Sequence, residues 1–238
     1  MKAMIFAAGL GTRLKPWTDH HPKALAVVNG KSLLQRNVEY LQQHGVHDVI
    51  VNVHHFANQI VEAIEINYGW GSNITISDES NEVLETGGGL KKAAWYFEAP
   101  QDFVVMNVDM LTDFDLSAMI AQHQPTKALA TLAVSNRVTS RYFLFNTANR
   151  LCGWRNTHTG DEKIVIADTP LIEKAFSGIH VINSSIFSLM QQEGKFSMVD
   201  VYLSLAAENT IHCFDHTGAK LLDVGKPESI AKAEELFV

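Results

Sequence analysis

Cysteine is scarce in this sequence: only Cys152 and Cys213 occur among 238 residues, with no C-x-x-C spacing. That excludes a disulfide framework and a cysteine zinc cluster, and two reduced thiols are the simpler expectation. Runs of lysine or arginine are missing too, and the formal net charge is −7. A nucleic-acid partner ordinarily meets a basic face, so none is expected. No apolar stretch is long enough to span a bilayer, and "KAMIFAA" runs into Gly9 and Arg13 without a signal-peptide layout. The expectation is a soluble, cytoplasmic protein with no membrane partner. Nothing in the composition points to a particular oligomeric state.

Several catalytic signatures are absent as well. Eleven histidines occur, yet none stands in H-E-x-x-H or a Cys/His zinc spacing, and there is no G-x-S-x-G elbow. The histidines are expected at the surface or in supporting positions. The stretch "AAGLGTRL" looks like a phosphate cradle but fails two templates. A dinucleotide fingerprint needs a third glycine where Leu14 stands, and a P-loop needs Gly-Lys where Leu14 and Lys15 fall. What remains is a glycine turn with Arg13 inside it and Lys23 shortly after.

Hydrophobic content of 46% and charged content of 19% are ordinary for a folded domain. "KAMIFAA" predicts a buried strand. "SLLQRNVEYLQQHG" predicts a helix with Ser32 and Gln35 as a capping box, Leu34, Val38 and Leu41 on one face, and Gly45 as terminator. The strand "HDVIVNV", helix "NQIVEAIEINYG", strand "SNITISDE", helix "GGGLKKAAWYF" and strand "DFVVMNV" follow. This βαβαβα alternation implies a mostly parallel sheet with helices on both faces. The second half predicts hairpins around Thr147–Asn149 and His216–Gly218, a strand "AFSGIHVIN", and helices in "SSIFSLMQQ", "MVDVYLSLAAEN" and "ESIAKAEELF". One α/β domain spanning 1–238, with C-terminal hairpin additions, is the expected architecture.

In open sheets of this kind ligands bind beyond the carboxyl ends of the strands. Gly9–Arg13, Asn107–Asp109 and Asp223 each follow a predicted strand and would converge on that rim. Gly9 and Gly11 let backbone amides approach phosphate, while Arg13 and Lys23 supply cations. A triphosphate carries about four negative charges, so a metal is expected beside those two cations. Asp109 and Asp223, isolated carboxylates at strand ends, suit Mg²⁺ completed by phosphates and waters. Asp113 and Asp115 are expected to cap the following helix. Gly87–Gly89 open a predicted helix, where exposed amides favour an anion or a closely packed ring.

With these pieces assembled, the sequence resembles the sugar-1-phosphate nucleotidyltransferases. Their signature, A-A-G-x-G-x-R-x-x-P-x-T followed by P-K, is met by "AAGLGTRLKPWTDHHPKAL" at Ala7, Ala8, Gly9, Gly11, Arg13, Pro16, Thr18, Pro22 and Lys23. "LETGGG", "FSGIHVI" and "LDVGKPESI" extend the likeness over nearly the whole chain. The resemblance implies a Rossmann-like nucleotidyltransferase fold and a reaction of a nucleoside triphosphate with a sugar 1-phosphate. It implies that Ala8, Gly9, Gly11 and Thr12 hold the nucleotide and that Arg13 and Lys23 serve the reacting phosphates. It places Glu82, Gly87 and Gly88 near the nucleoside, Asn107 and Gly178 by the sugar, and Mg²⁺ on Asp109 and Asp223.

The sugar phosphate falls to Arg155 or to the pair Glu173 and Lys174, two alternatives that the resemblance leaves open. Val108 departs from the family's usual glycine, and "PKALAVV" lacks two usual prolines. Within the family the short form is most similar to the bacterial uridylyltransferases of N-acetylmuramate 1-phosphate. That sugar bears a lactyl carboxylate, for which Arg137, Arg141 and Arg155 are available cations. Guanylyl transfer to mannose or heptose phosphate and cytidylyl transfer to phosphocholine are the alternatives, with a silent nucleotide-binding relative behind them.

Overall fold

An unbroken apolar run becomes the middle of the sheet. In the computed structural model, which describes residues 1–238, β1 (Lys2–Phe6) buries Ala3, Met4 and Ile5 completely. A strand covered on both faces has no polar side to keep, so it reads as a run and not as an alternation. Short 3₁₀ turns at Thr12–Leu14, Trp17–Asp19 and Lys23–Leu25 follow. A small ribbon of β2 (Val27–Val28) and β3 (Lys31–Ser32) then leads into α1 (Leu33–Gln43). Ser32 Oγ accepts from Gln35 N at 3.1 Å, but the Gln35 side chain turns to Glu39, so half of the expected box forms. Gly45, at φ +74°, closes the helix, with Val46 N donating to Leu41 O and Gly45 N to Gln42 O.

The alternating half continues as β4 (Asp48–Val53), α2 (Ala57–Ile66), β5 (Asn73–Asp78), α3 (Glu85–Lys92) and β6 (Asp102–Asn107). β6, β1, β4 and β5 lie side by side and parallel, so their carboxyl ends share one rim. After the rim come β7 (Met110–Thr112) and α4 (Leu116–Thr126), the latter capped by Asp115 as expected. Then follow β8 (Ala130–Ser135), β9 (Arg141–Phe145), β10 (Leu151–Asn156), β11 (Glu162–Ile164) and β12 (Ile172–Asn183). The chain ends with α5 (Ile186–Leu189), α6 (Met198–Leu205), β13 (Ile211–Asp215), β14 (Leu221–Asp223) and α7 (Pro227–Leu236).

The inner half of β12 pairs antiparallel with β6, and its outer half pairs with β9. β9 and β10 form the hairpin expected around Thr147–Asn149. The second expected hairpin does not form. β13 runs parallel to β8, and β14 pairs with β7, so the turn at His216–Gly218 passes the chain from the main sheet to a separate ribbon. The physical reason is burial: Ile211 and Cys213 pack into the core beside the fully covered β8, a site β14 could not offer.

Two apolar layers flank the sheet. Ala3, Ile5 and Val104 face α1, while Met4, Phe103 and Val105 face the layer containing Leu90 and Tyr202. The arrangement is a Rossmann-like α/β sheet, with parallel central strands and an antiparallel extension. Both cysteines are free and buried. No helix is long and apolar enough to cross a membrane. Three histidines are core residues and not peripheral ones: His123, His180 and His216 are buried. Burial drives the His180 pKa down to about 3, and its Nδ1 lies 2.5 Å from Tyr202 Oη, which keeps the neutral ring satisfied.

Candidate active site

At the carboxyl rim a cavity of about 310 Å³ is lined by Ala8, Gly9, Gly11, Thr12, Arg13 and Lys23, together with Asn107 and Asp109. Gly11 sits at φ +63°, and a Cβ there would lie 2.9 Å from Thr18 Cγ2 and 3.0 Å from Lys23 Cβ. Only glycine fits that backbone and that space. Thr18 Oγ1 donates to Gly11 O at 2.9 Å, and Leu14 is buried in the core. The leucine that spoiled the dinucleotide pattern is therefore the plug that seats this loop.

The two cations and two carboxylates converge as expected. Lys23 pairs with Asp109, their side chains 11% and 19% exposed. Arg13 Nη2 lies 3.4 Å from Asp223 Oδ2. The backbone brings the aspartates together: Asp223 is opposite Met110 in the ribbon, and Val224 N donates to Asp109 O at 2.8 Å. No three His, Cys, Asp or Glu side chains gather to hold a metal. Asp223 Oδ1 is buried and without a hydrogen-bond partner. Two carboxylates, one with a free buried oxygen, suit a hard cation that takes its remaining ligands from phosphate and water.

Gly178, at φ +71°, abuts Asn107: a Cβ there would lie 2.7 Å from Asn107 Nδ2. Val108 is only 5% exposed and packs with the core, while its carbonyl accepts from Asn37 Nδ2 at 2.8 Å. The extra side chain thus packs into the core while the residue still forms part of the cavity wall.

Other expected residues lie elsewhere. Arg155 is held by Glu162 and Glu173, and Lys174 by Asp215 and Asn136. Adjacent strand residues point to opposite faces, so Glu173 and Lys174 serve separate clusters, and none of the three lines the cavity. The amides of Gly87 and Gly88 both donate to Phe196 O, at 2.9 and 3.2 Å, so they are not open to a base. A Cβ on Gly87 would meet the Phe196 ring at 2.4 Å, and one on Gly88 would meet Gly194 O at 2.4 Å. Close packing explains these glycines. Glu82 is exposed and off the cavity wall, where Val83, Glu85 and Thr86 stand in this segment.

Three site residues escaped the sequence reading. Asn52 Oδ1 accepts from Ala7 N at 2.7 Å, and Asn52 Nδ2 donates to Glu79 Oε1 at 2.8 Å. Glu79 is 1% exposed and lines the cavity, with Oε2 unpartnered. Burial pushes its pKa up, opposed in part by the Asn52 hydrogen bond. Gly225 has no room for a Cβ, because Arg13 Nη2 and Asp223 Oδ1 lie 2.6 Å from where it would be. Asn52, a lone polar residue inside the apolar run "VIVNV", was the signal available.

A family model described as Nucleotidyl transferase matches residues 2–237. N-acetylmuramate alpha-1-phosphate uridylyltransferase of Caulobacter vibrioides is 31% identical over 244 residues, 98% of this chain and 95% of that protein. Mannose-1-phosphate guanyltransferase of Schizosaccharomyces pombe is 28% identical, over 100% of this chain and 64% of that protein. The crystal structure of HddC from Yersinia pseudotuberculosis complexed with GMP-PN matches with a TM-score of 0.80 and 26% identity, covering 100% of this chain and 99% of that one. The chain belongs to the nucleotidyl transferase family, among its sugar-1-phosphate nucleotidyltransferases.

Proposed function

We propose that this enzyme transfers a uridylyl group from UTP to N-acetylmuramate 1-phosphate with Mg²⁺, releasing pyrophosphate. The observation that carries the chemistry is the meeting of Arg13, Lys23 and Asp109 at one cavity, with Asp223 paired to Arg13 beside it. The choice of substrates is supported by the likeness, over nearly both full lengths, to the Caulobacter enzyme. Since nucleoside triphosphates are cytoplasmic metabolites, the reaction belongs in the cytoplasm.

A phosphate oxygen of the sugar 1-phosphate attacks the α-phosphorus in line as the bond to pyrophosphate breaks. The nucleophile is already anionic, so no strong base is needed and charge repulsion is the main obstacle. At about 4 Å and an effective dielectric near 20, each pair of unit charges costs about 4 kcal/mol. Bound to Asp109 and Asp223, Mg²⁺ would offset part of that repulsion and polarise the phosphate. Arg13 faces the departing pyrophosphate, and Lys23 neutralises charge at the α-phosphate. Gly9, Gly11 and Thr12 position the triphosphate through a turn that Thr18 and Leu14 hold. Asn107, backed by Gly178, orients the sugar. Glu79, the buried acid on the wall, serves the nucleobase, with Thr86 and Val83 beside it.

The test is pyrophosphate release by purified enzyme with Mg²⁺, over UTP, GTP, CTP, ATP and dTTP against a panel of sugar 1-phosphates and phosphocholine. Release confined to UTP with the muramate sugar supports the reading. Release with another pair keeps the transfer and replaces the substrates. Nucleotide binding without release from any pair overturns it.

A further inference from the structure

Strand β12 departs from regular pairing at one place, where three consecutive residues do different jobs. Its register against β8 shifts between Phe176 and His180. Phe176 O accepts a hydrogen bond from Arg137 Nη2 at 2.7 Å. Ser177 is fully buried, with its hydroxyl 2.7 Å from His216 Nε2. His216 is held in turn, its ring 4.8 Å from Phe114 and its amide donating to Val134 O at 3.0 Å. Gly178 abuts the Asn107 side chain. A bulge re-aims what it carries. This one fixes an arginine two residues along the strand from the asparagine's support.

Arg137 is not on the cavity wall either, but it follows β8 on the correct edge of the sheet. β8 is antiparallel to β12, and β12 is antiparallel to β6, so β8 runs with the parallel strands and ends on the ligand rim. Arg155 is held by two glutamates, Lys174 by Asp215 and Lys23 by Asp109. Arg137 is exposed and has no carboxylate in ion-pair range; its one side-chain hydrogen bond is the one to Phe176 O. Arg141 opens β9 opposite Asn156 and lacks that anchor. A guanidinium carries five donors in a plane, so a bond through Nη2 fixes the group and leaves most of its fork free.

We infer that Arg137 selects a sugar 1-phosphate bearing a carboxylate substituent, such as the lactyl ether of N-acetylmuramate 1-phosphate. The inference rests on the substrate reading above. A planar fork meets a carboxylate through two parallel hydrogen bonds.

The test compares wild type with Arg137→Gln in UTP-dependent pyrophosphate release. The acceptors are N-acetylmuramate 1-phosphate and N-acetylglucosamine 1-phosphate, the same sugar without the lactyl ether. If the second is not turned over, its Ki as a competitive inhibitor replaces its KM. The loss in kcat/KM is expected to be at least about ten-fold larger for the muramate sugar, carried by KM, with Arg137→Lys recovering part of it. An equal loss with both sugars makes Arg137 a phosphate contact and overturns the inference, as does no loss with either. A wild type that ignores the muramate sugar overturns the substrate reading and this inference together. A wild type that uses it, beside an unaffected Arg137→Gln, overturns this inference alone.

Discussion

Lys23 and Asp109 lie too deep to be an ordinary surface pair, at 11% and 19% side-chain exposure. Replacing one leaves the other largely desolvated and unpaired, which costs about 2 kcal/mol. Lys23→Ala and Asp109→Asn are therefore expected to lower turnover at least about 100-fold and also to lower the unfolding midpoint. Pyrophosphate release and urea titration measure the two effects. Near wild-type turnover in either variant removes that residue from the chemistry. Glu79 adds a pH dependence. Its pKa is raised by burial from the ordinary 4.5, so the folded protein holds this proton more tightly than the unfolded chain does. The stabilisation is complete below 4.5 and fades as pH rises through the folded value. Glu79→Gln keeps the acceptor for Asn52 and stays neutral. Its stability relative to wild type should rise as pH climbs from 4.5 through the raised folded value. Parallel curves over that range would show that Glu79 carries no such cost.

Helix α3 shows how packing can overrule propensity. Alanine in place of glycine favours a helix by about 1 kcal/mol, yet Gly88 faces Gly194 O, where a Cβ would sit at 2.4 Å. Overpacking against backbone costs about 1–3 kcal/mol, so Gly88→Ala should destabilise on balance. A urea midpoint that rises with an unchanged m-value would refute this. The same contrast governs what could be read from the chain. The ends of α1 were legible because Ser32 and Gly45 act on their own neighbours. The turn at His216–Gly218 was legible too, but not the partners of β13 and β14, since pairing is a long-range choice among strands of similar apolarity. The cradle was visible in local spacing from Gly9 to Lys23. Glu79, Asn52 and Gly225 were not, because each acquires its role only from residues distant in sequence. Arg155 and Lys174 looked free for the same reason, with carboxylates on other strands holding them.

At the scale of the whole molecule, a ligand that binds only the folded state stabilises it by mass action. Under the proposed function, Mg²⁺ with UTP at about a hundred times its Kd should add about 2.7 kcal/mol, which for a chain of this size raises the melting midpoint by roughly 5–10 °C. Asp109→Asn should show a smaller rise under the same conditions, and an undiminished one would place the metal elsewhere. The molecule also divides its labour along a single strand. β12 lies against β6 by its inner half and against β9 by its outer half, so the cavity rim and the β9–β11 extension share one beam. Loops between β9 and β12 can lengthen, shorten or change charge while Asn107, Asp109 and Asp223 keep their places. Such a seam lets descent conserve a reaction and exchange its acceptors, as expected of a family whose members include glucose, mannose and muramate transferases.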